Sequence, residues 1–83
     1  MLLAETVQSY IAAGLACVYL QVTGDGQHFY ATIVSEAFTG KRRIQQHQLV
    51  YQILGERMRA EIHALSMQTY TPAEWLATQA QAI

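Results

Sequence analysis

The feature that most constrains this chain is a pair of alternating runs that meet at Gly24, Asp25 and Gly26. Before the turn, residues 15–23 (LACVYLQVT) are rich in β-formers, with Val18, Leu20 and Val22 alternating against Tyr19 and Gln21. After it, HFYATIV continues the same two-residue period. Two glycines permit the backbone angles of a tight reversal and the aspartate can bond its own backbone, so the segment is expected to be a β-hairpin, half buried on one face.

What covers that face is read from the flanking segments. Apolar residues at positions 3, 7 and 11 fall at helical spacing, which predicts a helix over Leu3–Ala13, with Gly14 closing it as a left-handed cap. Ser35–Gly40 reads as a connector. Ile44, His47, Tyr51, Leu54 and Met58 then recur at intervals of three and four, predicting a main amphipathic helix over 42–54 with those side chains on its apolar stripe. Gly55 should break it, or start a short helical turn through Arg59. Residues 62–70 (IHALSMQTY) read as a third strand. Thr71, Pro72 and Glu74 supply a capping hydroxyl, a proline at the first helical position and a carboxylate at the third, so a short last helix carrying Trp75 should follow. The expected order is α-β-β-α-β-α: an α/β (α+β) fold in one domain over residues 1–83, its three-stranded sheet backed by helices on one face.

Composition narrows the function classes. Eighty-three residues at 52% hydrophobic provide for one core, and a net charge of -1 with 13% charged residues lacks the overall basicity of many nucleic-acid binders. The lone cysteine, Cys17, forms no internal disulfide, as in a reducing compartment. No stretch approaches the roughly 18 apolar residues of a membrane span, and MLLAETVQSY lacks the basic start of an export signal, so a soluble cytoplasmic protein is expected. No nucleophile, base and oxyanion constellation points to an enzyme.

Between Val22 and Trp75 the motifs GDGQHF, SEAF-GKRR, QQHQLVY, IHALS and TYTPAEW occur in order. In these the chain resembles the BolA family. The resemblance implies a fold related to the type II KH domain and a non-enzymatic role. It also implies a monothiol glutaredoxin as partner, with a two-iron two-sulfur cluster bridged in the heterodimer and completed by the glutaredoxin cysteine and glutathione. The isolated chain would then hold no cofactor and be a monomer or weak dimer. Some family members are described as DNA-binding regulators of cell shape and stress responses, which makes DNA the alternative partner.

On that resemblance His63, in IHALS, stands at the family's cluster-ligand position. A neutral imidazole offers iron a lone pair, although a histidine at a strand start equally serves as a hydrogen-bonding residue. The second ligand of the family lies in the loop between the first two strands, where this chain has Asp25. A carboxylate suits such a cluster less well than imidazole, so His28 is the better candidate, with an exposed strand-end histidine beside Tyr30 as the alternative. Cys17 reads as a small buried hydrophobe early in the first strand. His47 reads as a core histidine on the helical stripe, hydrogen-bonded across to the sheet. Gly40, Lys41, Arg42 and Arg43 form the one cationic run, where backbone amides and three cations would converge on a phosphate, nucleic acid or acidic partner. Tyr70 and Trp75 are expected to pin the last helix to the core.

Overall fold

The computed structural model describes residues 1–81. Its elements are α1 (Ala4–Gly14), β1 (Tyr19–Gly24), β2 (His28–Val34), a 3-10 turn (Glu36–Phe38), α2 (Arg43–Leu54), α3 (Glu56–Ala60), β3 (Ala64–Tyr70) and α4 (Pro72–Gln81). The expected order holds, with α3 as the short helical turn anticipated after Gly55 and the 3-10 turn added. β1 and β2 pair antiparallel from Tyr19↔Val34 to Gly24↔Phe29, as the hairpin requires. β3 joins the other side of β2 in parallel, from His28↔Ala64 to Val34↔Tyr70, giving the order β1-β2-β3. A parallel neighbour demands a crossover, and α2 with α3 supplies it.

The two-residue period sorts the sheet into faces. Val22, Phe29, Ala31 and Ile33 bury one face against Val7 and Ile11 of α1 and Val50 and Leu54 of α2, with Leu15, Phe38 and Ile62 in the same cluster. Phe29 and Ile33 are fully enclosed. The opposite face carries Gln21, Thr23, Tyr30, Ser66 and Gln68, which remain exposed. One end of this second face is covered. Trp75 of α4 stacks on Tyr19 with ring centroids 4.9 Å apart and lies 5.3 Å from the Tyr70 ring, so α1 and α2 back one face while α4 anchors on the other. Trp75 and Tyr70 thus pin the last helix as expected, but to the face opposite the core, which corrects the expectation that the helices all back one face.

Local signals at α4 act as the sequence indicates. The Glu74 N–H donates to Thr71 Oγ1 at 3.2 Å and the Thr71 N–H to Glu74 Oε1 at 2.8 Å, a reciprocal cap. Gly55, at φ 55°, breaks the crossover into α2 and α3. Two helical expectations need correction. Gly14 is not a left-handed cap but the last residue of α1, and its missing side chain matters for packing: a Cβ there would fall 2.5 Å from Ile53 Cγ2 of α2. The buried stripe of α2 is Gln46, Val50 and Leu54, whereas Ile44 and Tyr51 are exposed. The helix is turned so that an amide rather than an isoleucine enters the core, because that amide is fully bonded there.

Candidate functional site

The sequence candidates separate to opposite ends of the sheet. β2 and β3 run in parallel, so both start at the same end, and that end also carries the β1–β2 turn. Asp25, His28 and His63 therefore all lie toward that end, although 35 residues separate the two histidines. The Ser35–Gly40 connector leaves the other end of β2, and Gly40, Lys41, Arg42 and Arg43 lie beyond it, at the start of α2. The twelve residues of α2 run back across the sheet, a span of roughly 18 Å.

At the first end, Asp25 Oδ1 accepts from the Gln27 and His28 N–H groups at 2.9 and 3.0 Å. Those two donors favour the ionised form and hold its carboxyl below the usual range, the His28 amide foremost. One oxygen is thus committed to shaping the turn. His28 is half-buried: its Nε2 lies 2.9 Å from Ser66 Oγ of β3, and its ring stacks on Tyr30 at 4.4 Å between centroids. The strand-end contact with Tyr30 is present, and Nδ1 is the nitrogen left outside the Ser66 contact. His63 occupies the bend before β3 and is exposed. Its neighbour Ile62 is buried and donates its N–H to Arg57 O, pinning the corner from which His63 projects. Tyr10 braces the same corner, donating to Glu61 Oε1 at 2.9 Å while the Arg57 guanidinium sits 4.0 Å over its ring. Among the described residues no three of histidine, cysteine, aspartate and glutamate converge to hold a metal. These residues can offer two imidazoles, and a cluster would need its remaining ligands from elsewhere.

Cys17 lies in the connection before β1, not in the strand. β1 starts at the Val34 end, so the thiol stands at the opposite end of the sheet from the histidines. It is half-buried, packs against the core and donates to Leu15 O at 3.4 Å; burial pushes its pKa up, away from the thiolate that binds metals.

The second end is organised by a residue that sequence reading passed over. Gln46 is buried, with Nε2 donating to Lys41 O at 3.0 Å and to Phe38 O at 3.3 Å, while Oε1 accepts from buried Thr69 of β3 at 2.6 Å. Ser35, also buried, donates to Ala16 O at 2.7 Å and accepts from the Ala37 N–H at 3.1 Å. A buried amide with every partner made fixes geometry more sharply than apolar contact does. It therefore sets the Phe38–Lys41 turn against the sheet. The signal that would have found it is Gln46 at i−4 from Val50 and i−8 from Leu54, a row that hydropathy alone discounts.

Outside this brace Gly40, Lys41, Arg42 and Arg43 are exposed, and among the described residues no carboxylate pairs with the three cations. The expected convergence with backbone amides is only partial. The Lys41 N–H is taken by Phe38 O and the Arg42 N–H by Gln45 Oε1 at 2.8 Å, so the side chains carry the anion-binding capacity. A groove of about 340 Å³ lined by Gly40, Lys41, Gln45, Gln48, Leu49 and Gln52 adjoins them. His47, one turn into α2, does not bond to the sheet as expected: its Nε2 is buried without a hydrogen-bond partner. Burial, and secondarily the Arg43 charge, lower its pKa.

A family model described as BolA-like protein matches residues 6–74. The chain is 32% identical over 85 residues to the DNA-binding transcriptional regulator BolA of Escherichia coli, covering 90% of this chain and 81% of that protein. It is 41% identical over 70 residues to the acid stress protein IbaG of the same organism, covering 83% of each. The solved structure of a bolA protein homologue from Coxiella burnetii superposes with a TM-score of 0.80 at 37% identity, over 92% of this chain and 99% of that one. With a family match across both sheet ends and a shared fold at this identity, the chain belongs to the BolA family.

Proposed function

We propose that the protein is a non-enzymatic adaptor that binds a monothiol glutaredoxin and shares a two-iron two-sulfur cluster with it, His63 and His28 being its contribution. The observation that carries this reading is the parallel pairing of β2 and β3, which sets both histidines at one end of the sheet. Two imidazoles, with no three-ligand metal group among the described residues, suit a cluster completed by a partner's thiolates. His63 is the freer ligand, while His28 would use Nδ1 or release Ser66. Asp25, with Oδ1 held in the turn, serves as the shaper of the loop and the weaker donor.

The test is to mix the protein with a glutathione-loaded, cluster-bearing monothiol glutaredoxin and record visible absorption and circular dichroism. A complex with an altered spectrum is expected, and His63→Ala should diminish the change more than His47→Ala does. An unchanged spectrum with no complex overturns the reading.

A second reading, DNA binding through Lys41, Arg42 and Arg43, is favoured by the exposure of three unpaired cations on a braced turn. Three phosphate contacts predict a slope of about −2.7 for log affinity against log salt on duplex DNA. Replacing all three by glutamine should abolish binding; affinity indifferent to salt and to that replacement removes this patch from consideration.

A further inference from the structure

The His28 ring is held on two sides, and strand register explains both contacts. β2 and β3 pair in parallel with His28 opposite Ala64 and Tyr30 opposite Ser66, so His28, Tyr30 and Ser66 project from the same face. Ala64 carries only a methyl group, which leaves the imidazole space to lean across to β3. Its Nε2 lies 2.9 Å from Ser66 Oγ, and its plane lies within 12° of the Tyr30 ring at 4.4 Å between centroids. The stack fixes the plane and the hydroxyl fixes one nitrogen. Among the described residues neither His28 Nδ1 nor Ser66 Oγ has another hydrogen-bond partner. Asp25 is not one, since its Oδ1 accepts from the Gln27 and His28 backbone N–H groups.

We propose that Ser66 is a positioning residue for His28: its hydroxyl accepts the Nε2 proton and so selects the tautomer in which Nδ1 is the bare, ligating nitrogen. The inference rests on the adaptor reading for the group that Nδ1 would meet, and it names the nitrogen offered and the residue that presents it. A neutral imidazole has one N–H and one lone pair, and the nitrogen that binds a metal is the one without the proton. Ligation through Nε2 would require the ring to turn away from Ser66. Ligation through Nδ1 leaves both that contact and the Tyr30 stack in place. Nε2 then carries the proton, and Ser66 is the acceptor already within reach; being exposed, it can give its own proton to solvent. The opposite assignment, with Ser66 donating to Nε2, places the proton on Nδ1, where no described group receives it. Ligating histidines are ordinarily held by a hydrogen bond from their second nitrogen, and loss of that partner costs about tenfold or more in metal affinity.

The free protein gives the first test. Long-range proton–nitrogen spectra of the imidazoles in isotope-labelled protein, recorded above about pH 8 where an ordinary histidine is neutral, report which nitrogen bears the proton. His28 should carry it on Nε2 to a greater extent than exposed His63 does. Ser66→Ala should bring the His28 distribution to that of His63, and Ser66→Thr, which keeps a hydroxyl, should preserve it. A proton on Nδ1 of His28, or a distribution that Ser66→Ala leaves unmoved, overturns the proposal. The second test is titration with glutathione-loaded, cluster-bearing monothiol glutaredoxin, followed by visible circular dichroism. Ser66→Ala should weaken the complex about tenfold, Ser66→Thr should restore it, and Ser66→Ala should have no further effect once His28→Ala is present. Unchanged affinity in Ser66→Ala overturns the proposal, as does a loss that persists in the His28→Ala background. No complex with the unsubstituted protein would sink the adaptor reading itself, while the tautomer spectra still decide whether Ser66 holds the ring.

Discussion

Where β2 ends, Gln46, Thr69 and Ser35 bury their polar atoms in completed hydrogen bonds and hold a cationic turn from beneath. Where β2 begins, Asp25 shapes an exposed turn, His28 leans on Tyr30 and Ser66, and His63 stands in solvent. The first end spends its polar groups internally and leaves only side-chain charge to meet a partner. The second leaves imidazole nitrogens near the surface, held by the chain but not consumed by it. A shared metal or cluster fits the second arrangement, and a diffuse anionic surface fits the first.

The largest effect expected from breaking this contrast is at Gln46. Gln46→Leu keeps a core-compatible volume but strands the Thr69 hydroxyl and two carbonyls, which should cost about 3 kcal/mol in urea denaturation. Pairing it with Thr69→Val should cost less than the sum of the single changes, since the second removes a group the first orphaned. Next is Ser35→Ala, which deletes one buried donor and the acceptor for Ala37, at about 1–2 kcal/mol. At the other end Asp25→Ala should move the urea midpoint less than Ser35→Ala does, because its two amides can turn to water. Equal or larger destabilisation there would mean that the histidine end is as internally braced as the cationic one.

The same division explains how far the sequence could be read. The hairpin, the Thr71–Glu74 cap and the break at Gly55 depend on neighbours within a few residues, and each lies where local chemistry puts it. The stripe of α2 does not, because its register is decided by an amide whose three partners lie on the 3-10 turn, the loop and β3. Gly14 likewise looks like a cap until Ile53 is brought against it. His28 and His63 were legible as residue types; the resemblance named His63, while His28 came from donor chemistry beside Asp25, which holds the family's loop position. Their meeting at one end follows from parallel pairing across the crossover, which no local spacing encodes.

The smallest effect tests the cationic end through His47. Its imidazole is kept neutral first by burial and then by Arg43 four residues earlier. A folded-state pKa below the unfolded value near 6.5 means that the unfolded chain binds the proton more readily. Stability from this group is therefore complete above about pH 6.5 and declines as pH falls toward the folded value. His47→Gln should flatten that acid limb, leaving the decline that Asp25 contributes further down, where its carboxylate protonates. Arg43→Gln should raise the His47 pKa only part of the way, as read from the imidazole proton shifts, because burial is the greater cause. A full return to the ordinary value would make charge rather than burial the dominant force on α2. The contrast between a braced cationic end and an open histidine end would then lose its footing in the core.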